Sequence, residues 1–253
     1  MTMPLSNRVA VITGASSGIG ESTAKLLAKQ GAKVALLARR HDRIEALAAS
    51  LRDTGASAVA IAVDVTDQAS VDTAADAVHR ELGRVDLVFN NAGVMLPAPI
   101  EEKKIEDWER MIDLNVTGLM RIIHAFIPDL VAAAQAGKPS DLINTSSIAG
   151  QYLYPTFAVY SATKAYVSHL SRHLRLELGP KDVRVSMLEP GIVATELQSH
   201  VTDQGAKDWL AGARETMEWL QPEDIAEVVA FIAGLPRHVN IQQVTVMPTR
   251  QGV

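Results

Sequence analysis

The sequence predicts an α/β protein built on a doubly wound sheet of about seven mostly parallel strands with helices on both faces. Three observations carry that prediction. Short, β-branched apolar runs alternate with amphipathic stretches from residue 8 almost to the C-terminus. The apolar runs are continuous, as in strands covered on both faces. The first of them ends in a glycine-rich turn, T13-G-A-S-S-G-I-G20, that leads straight into a helix-spaced stretch. Strands connected through helices lie parallel, and such crossovers are right-handed almost without exception.

Arg8–Thr13 (RVAVIT) is the first strand, and Gly18–Gln30 then carries helical spacing through Ile19, Ala24, Leu27 and Ala28. Lys33–Ala38 (KVALLA) is a second buried strand, followed by a charged helix over His41–Asp53. Ala58–Val63 is the third strand, Thr66–Glu81 a helix and Val85–Phe89 the fourth strand. A long helical region covers 105–135. Asp141–Thr145, a helix over 158–177 and the strand Val183–Leu188 come next. Pro222–Ala233 is a helix whose proline suits a first turn, and Gln243–Val246 is the last strand. Ala136–Ser140 (AGKPS) reads as an internal loop, and no linker or repeat divides the chain. A single dinucleotide-binding domain over 1–253 is expected, with a substrate-covering segment at about 196–220.

Composition removes several function classes. With 253 residues, 47% hydrophobic, the chain can bury a sizeable core. A net charge of −5 without a long basic run argues against nucleic acid as a main partner. The absence of cysteine removes disulfides, thiolate chemistry and cysteine-ligated zinc, and no metal site is expected. The opening M-T-M-P-L-S-N-R has no apolar core of a secretory leader, and no charge-free apolar stretch reaches the ~18–20 residues of a membrane span. A cytoplasmic protein with no membrane partner is expected.

The glycine turn has the strand–turn–helix setting of a Rossmann-type dinucleotide site. Gly14 permits the tight turn, Gly18 lets backbone approach a pyrophosphate, and Gly20 lets helix and strand pack closely. The helix N-terminus offers free N–H groups to the phosphates. The second strand ends A38-R39-R40, without the acid that binds a ribose 2′-hydroxyl in NAD enzymes. Arg39 and Arg40 can instead grip a 2′-phosphate, which points to NADP(H); Arg40 also reads as a solvated residue opening the charged helix. Farther on, V159-Y-S-A-T-K164 sets Tyr160 and Lys164 on one helix face. A phenol titrates near ~10, and a neighbouring ammonium can lower that value.

Several further motifs follow in order: N90-N-A-G93, Asn115 in L-N-V-T-G, I143-N-T-S-S-I-A-G150, Y160-S-A-T-K164 and P190-G-I-V-A-T195. With the glycine turn, this ordered set resembles the short-chain dehydrogenase/reductase family, in its single-domain branch, over essentially the whole chain. E189-P-G and the tail Q243-V-T-V-M-P-T-R are similar to a narrower group that includes NADP-dependent 3-hydroxy-acid dehydrogenases and clavulanic acid (clavaldehyde) reductase.

The resemblance implies an oxidoreductase that moves a hydride between NADP(H) and a small aldehyde, ketone or 3-hydroxy acid. Tyr160 would be the general acid/base and Lys164 would lower its pKa and bind the nicotinamide ribose. Ser147, which precedes x-A-G and lies thirteen residues before Tyr160, would orient the carbonyl in preference to Ser146. Asn115 would hold a water that relays protons from Lys164. Cofactor contacts would come from Gly14, Ser16, Ser17, Gly18, Ile19 and Gly20 in the first turn, with Arg39 and Arg40 at the 2′-phosphate. Asp64 and Val65 would lie at the adenine, and Asn91, Ala92 and Gly93 along the cofactor. Tyr160 and Lys164 would join Pro190, Gly191, Val193 and Thr195 at the nicotinamide end. Asn90 is expected to tie strands together instead.

Met95, Gln151, Tyr152, Leu153, Tyr154 and Phe157 would rim the substrate pocket, with Trp209, Met217 and Trp219 in the covering segment. The apolar surfaces of 105–135 and 158–177 exceed what one buried stripe needs. In the resembled family these helices pair between subunits, which implies a homodimer or homotetramer. Two alternatives use the same fold: an epimerase or dehydratase, and a non-enzymatic NADP(H)-sensing regulator. The first usually has a longer C-terminal domain and different glycine spacing, and the second tends to lack the tyrosine or lysine.

Overall fold

The computed structural model describes residues 4–252. Residues 1–3, on which the expectation of no secretory leader partly rests, lie outside the described residues, as does residue 253. Seven strands form one sheet in the order β3-β2-β1-β4-β5-β6-β7. They are β1 Val9–Thr13, β2 Lys33–Ala38, β3 Ala58–Ala62, β4 Leu87–Asn90, β5 Asp141–Thr145, β6 Arg184–Pro190 and β7 Gln243–Val246. Every neighbouring pair is parallel. β1 and β4 are neighbours although two strands separate them in the chain, so the strand order reverses there.

The helices are α1 Gly18–Lys29, α2 His41–Asp53, α3 Gln68–Leu82, α4 Ile105–Ile112, α5 Leu119–Gln135, α6 Ala158–Leu178, α7 Gln204–Thr216 and α8 Pro222–Gly234. One core joins the sheet to α1, α2 and α8 through residues such as Leu27, Ile44, Phe89 and Ile225. The opposite core joins it to α3, α5 and α6 through Val78, Phe126 and Val167. Strands β1 and β4, fully buried along their lengths, are the continuous apolar runs this double cover requires.

The helix expected over 105–135 is interrupted by a π-helical turn at Asp113–Gly118. Packing explains part of this. A Cβ on Gly118 would lie 2.8 Å from Val65 Cγ2, so the turn sits closer to the end of β3 than a side chain would allow. The wide turn also carries Asn115, which is buried. By length and apolar content alone the run Ile105–Gln135 qualifies as a membrane span, although Arg121 and Asp129 break any charge-free stretch. Its inward stripe of Leu119, Ile122, Ile123, Phe126 and Leu130 is buried in the core, which accounts for much of that content.

Four charges line the N-terminal edge of four adjacent strands. Arg8 precedes β1, Asp86 precedes β4, Asp141 opens β5 and Arg184 opens β6. Arg8 donates to Asp86 Oδ1 at 2.5 Å and to Asp141 Oδ2 at 2.6 Å. Arg184 donates to both oxygens of Asp141 at 2.7 Å. Both guanidinium groups also donate to the carbonyl of Ala233 near the C-terminus of α8, at 3.0 and 3.3 Å. Burial alone would lower the Arg8 pKa, but Asp141 and Asp86 reverse the sign and raise it. This ion network clamps the end of the sheet away from the glycine turn.

Candidate active site

A cleft of about 330 Å³ opens at the carboxyl ends of the strands, beside the point where the strand order reverses. The turn between β1 and α1 forms its floor. Gly14 and Gly18 have φ of +67° and +56°, a region that costs a side chain strain. A Cβ on Gly20 would collide with the Gly14 carbonyl and lie 2.8 Å from Asn91 Nδ2, so only glycine lets α1 start this close to β1. Ser17, at the N-cap of α1, makes no side-chain bond to the first turn. The N–H groups of that turn therefore suit an anion such as a pyrophosphate.

Thr13 ends β1 and fixes the opposite wall. Its hydroxyl accepts from the backbone N–H groups of Asn91 and Ala92 at 2.9 and 3.0 Å, while Asn91 Nδ2 donates to its carbonyl at 3.2 Å. The N90-N-A-G93 stretch is thus stitched to the glycine turn. Asn90 ties strands, as expected: its Nδ2 donates to Asn144 Oδ1 at 3.0 Å.

Helix α6 presents Tyr160 and Lys164 to the cleft, and both are buried. Ser147 follows β5 and caps a short 3₁₀ turn, its Oγ accepting from Ala149 N at 3.1 Å. Burial pushes the Tyr160 phenol up to about 12, and a hydrogen bond with the Ser147 side chain pulls the other way. The expected lowering by Lys164 does not prevail. Lys164 is itself desolvated and pushed down to about 8. Its Nζ lies 5.8 Å from the phenol ring centroid and donates to the Thr145 carbonyl at 3.0 Å. Ser146 is a structural hydroxyl, donating to the Lys164 carbonyl at 2.9 Å and lying 2.7 Å from Ser168 Oγ.

All the sequence-predicted catalytic and cofactor residues line the cleft except Asn115 and Gly20. Gly20 lies behind the turn for the packing reason above. Asn115 serves as a clamp. Its Oδ1 accepts from Val94 N at 2.8 Å, and its Nδ2 donates to Val94 O at 2.9 Å and Thr163 Oγ1 at 3.1 Å. Thr163 in turn donates to the Tyr160 carbonyl at 2.7 Å, so Asn115 joins the Gly93 loop to the helix that carries the phenol.

At the other end, Arg39, Arg40, Asp64 and Val65 line the cleft. Asp64 accepts from the Thr66 hydroxyl at 2.7 Å and N–H at 2.9 Å, and the hydroxyl bond does most to hold its pKa below the usual range. Arg40 lies against the glycine turn, with Nη2 donating to the hydroxyls of Ser16 and Ser17, each at 2.8 Å. It is not simply a solvated residue opening α2.

The covering segment is a loop-and-helix excursion with its two ends joined. Val193 and Leu220 form a parallel bridge, Ala194 N donates to Leu220 O at 2.8 Å, and Leu220 N donates to Ile192 O at 3.2 Å. Of the expected substrate rim, Met95, Tyr154, Phe157 and Trp209 line the cleft. Gln151, Tyr152, Leu153, Met217 and Trp219 do not. Gln151 is drawn to the buried Glu189 carboxylate, and Leu153 is 95% exposed. Trp219 packs under Arg214 with Met217 in the cluster beneath α7. Residues the motifs did not single out also reach the cleft, notably Glu196, His200 and Gln251. Only the tertiary path of the excursion and the C-terminal tail brings them there.

The short chain dehydrogenase family model matches residues 8–206. The chain belongs to the short-chain dehydrogenase/reductase family. Sulfoacetaldehyde reductase of Chromohalobacter salexigens is 42% identical over 95% of this chain and 93% of its own. Serine 3-dehydrogenase of Agrobacterium fabrum is 36% identical over 95% and 94%. Among solved structures, a closed serine dehydrogenase complexed with NADP+ superposes on this short-chain dehydrogenase with a TM-score of 0.88 at 33% identity, covering 97% and 96% of the two chains. A 3-ketoacyl-(acyl-carrier-protein) reductase from Brucella melitensis complexed with NADH gives 0.86 at 32%, covering 97% and 99%. A nicotinamide cofactor is thus supported for this fold, and the cleft has the turn and helix terminus to receive one.

Proposed function

We propose that the protein is an NADP(H)-dependent carbonyl reductase or alcohol dehydrogenase with Tyr160 as its general acid/base. The observation that carries this reading is the meeting of Ser147, Tyr160 and Lys164 on one wall of a cleft floored by a phosphate-binding turn. Bound nicotinamide supplies or accepts the hydride. In reduction the Tyr160 hydroxyl gives its proton to the carbonyl oxygen, and in oxidation the phenolate takes it back. The hydroxyl of Ser147 holds the same oxygen. A phenol pushed up to about 12 is fully protonated at neutral pH, the form that reduction needs. Lys164 is cationic below about 8 and sits where it can stabilise the phenolate that reduction leaves behind.

Arg39, Arg40, Ser16 and the missing acid after β2 favour the 2′-phosphate of NADP(H). Met95, Tyr154, Phe157, Trp209 and His200 favour a small carbonyl compound or its alcohol. Relatives named for sulfoacetaldehyde and serine put aldehydes and hydroxy acids in the first test panel. We further propose a homo-oligomer in the cytoplasm.

The test follows NADPH and NADH absorbance with a panel of aldehydes, ketones, 3-oxo acids and hydroxy acids. Turnover with NADPH exceeding that with NADH is expected. Faster turnover with NADH would overturn the cofactor assignment, and tight NADPH binding without turnover would favour the regulator.

A further inference from the structure

We infer that Glu196 tunes cofactor selectivity by competing with the 2′-phosphate for Arg40, and so couples that phosphate to the segment covering the substrate. The inference rests on the NADP(H) reading above.

Glu196 is the first residue of the covering excursion after Thr195. The excursion is pinned at its base by the Val193–Leu220 bridge and, at its start, lies over the glycine turn. Thr195 Cγ2 is 3.0 Å from where a Gly18 Cβ would be. From there Glu196 reaches back to the adenine end of the cleft. Its Oε2 accepts from Arg40 Nη1 at 2.7 Å and its Oε1 from Arg43 Nη1 at 2.6 Å. One carboxylate therefore bridges two guanidinium groups, the hydrogen-bonding pattern by which arginines also receive a phosphate.

Three more of the five Arg40 N–H groups face the glycine turn. Nε and Nη2 both donate to Ser16 Oγ, at 3.1 and 2.8 Å, and Nη2 also donates to Ser17 Oγ at 2.8 Å. A second anion at Arg40 arrives beside the carboxylate that already pairs with Nη1, and two anions sharing one guanidinium repel each other. Glu196 is a constant competitor, because hydrogen bonds from Arg43 and Arg40 hold its carboxyl down to about 2.

The clasp can also yield. Its side chains are 43%, 52% and 42% exposed for Arg40, Arg43 and Glu196, and exposed ion pairs contribute little. A 2′-phosphate, with more charge than a carboxylate, wins Arg40, the member of the pair that lines the cleft, and loosens the start of the excursion. A cofactor without that phosphate leaves the clasp closed. The same exchange makes Glu196 tax NADP(H) binding while leaving NAD(H) binding untouched.

The test is Glu196→Gln in the full chain, which keeps the side-chain shape and removes the charge. Dissociation constants for NADPH and NADH are measured by fluorescence titration, with hydrogen exchange of 195–203 followed in the wild type. The variant should bind NADPH about fivefold tighter, the scale of one to two exposed ion pairs, with NADH changed by less than about twofold. Exchange in the wild-type segment should rise on adding 2′,5′-ADP but not 5′-AMP. An unchanged NADPH constant, an equal shift for both cofactors, or equal exchange with the two nucleotides would overturn the inference. Wild-type protein that prefers NADH would instead overturn the underlying NADP(H) reading.

Discussion

Tyr160 and Lys164 sit side by side, and burial drives their pKa values apart: the phenol up to about 12, the ammonium down to about 8. Both shifts favour the neutral form. The consequence for rate follows from the lysine. Below about 8 it carries its charge, and as pH rises through that value the charge is lost while the phenol keeps its proton. Because kcat/KM reports the free enzyme, its value for carbonyl reduction should fall as pH passes about 8. A profile flat through that pH and falling only toward the phenol's value would contradict this. At this scale much of the site is legible in the sequence. Gly14, Gly18 and Gly20 sit in a strand–turn–helix pattern that demands their backbone freedom, and Ser147, Tyr160 and Lys164 follow at interpretable spacings. Glu196, His200 and Gln251 are not legible, because their neighbours in the cleft come from distant parts of the chain. Asn115 is legible as a special residue, but its hydrogen bonds to Val94 and Thr163 need coordinates.

Strands and the longer helices fall within two residues of their expected bounds. Continuous apolar runs such as β1 and clear stops such as the Gly14 turn explain that agreement. Helix α7 escapes the pattern because it buries only Ala206 and Leu210, too few positions to stand out as a 3.6-residue stripe. Its start at Asp203, whose side chain accepts from Ala206 N at 2.8 Å, is visible only as a cap. The π-turn is equally hidden, since the residues it packs and bonds against, Val65 and Val94, are remote in sequence. The ion network across β1, β4, β5 and β6 is the element-scale feature with the largest energetic stake. Asp141 accepts three bonds from Arg8 and Arg184, so Asp141→Asn leaves two buried guanidinium groups short of their counter-charge. Denaturant unfolding should show a loss of about 3–5 kcal/mol, the cost of breaking a buried pair from one side. A loss under about 1 kcal/mol would mean the network contributes no more than a surface pair.

Across the whole molecule, the parallel order β3-β2-β1-β4-β5-β6-β7 places the cleft at the reversal between β1 and β4, with the ion network at the opposite end. That architecture follows from the alternation of apolar runs and helices. The outer surface carries a second signal. Ile112, Met120, Tyr166 and Leu176, on α4, α5 and α6, are all exposed, with Leu176 at 67%. Exposed apolar side chains on these helices suit a contact between identical copies. Light scattering after size exclusion should give a multiple of 27.2 kDa, and the monomer mass itself would refute the assembly. On the proposed mechanism Tyr160 moves the proton in a nicotinamide-dependent carbonyl reaction. Tyr160→Phe, measured for NADPH binding and for turnover on the best substrate of the panel, tests it most directly. Binding should match the wild type while turnover falls by about 10²-fold or more. Full turnover by the variant would rule out Tyr160 as the proton donor.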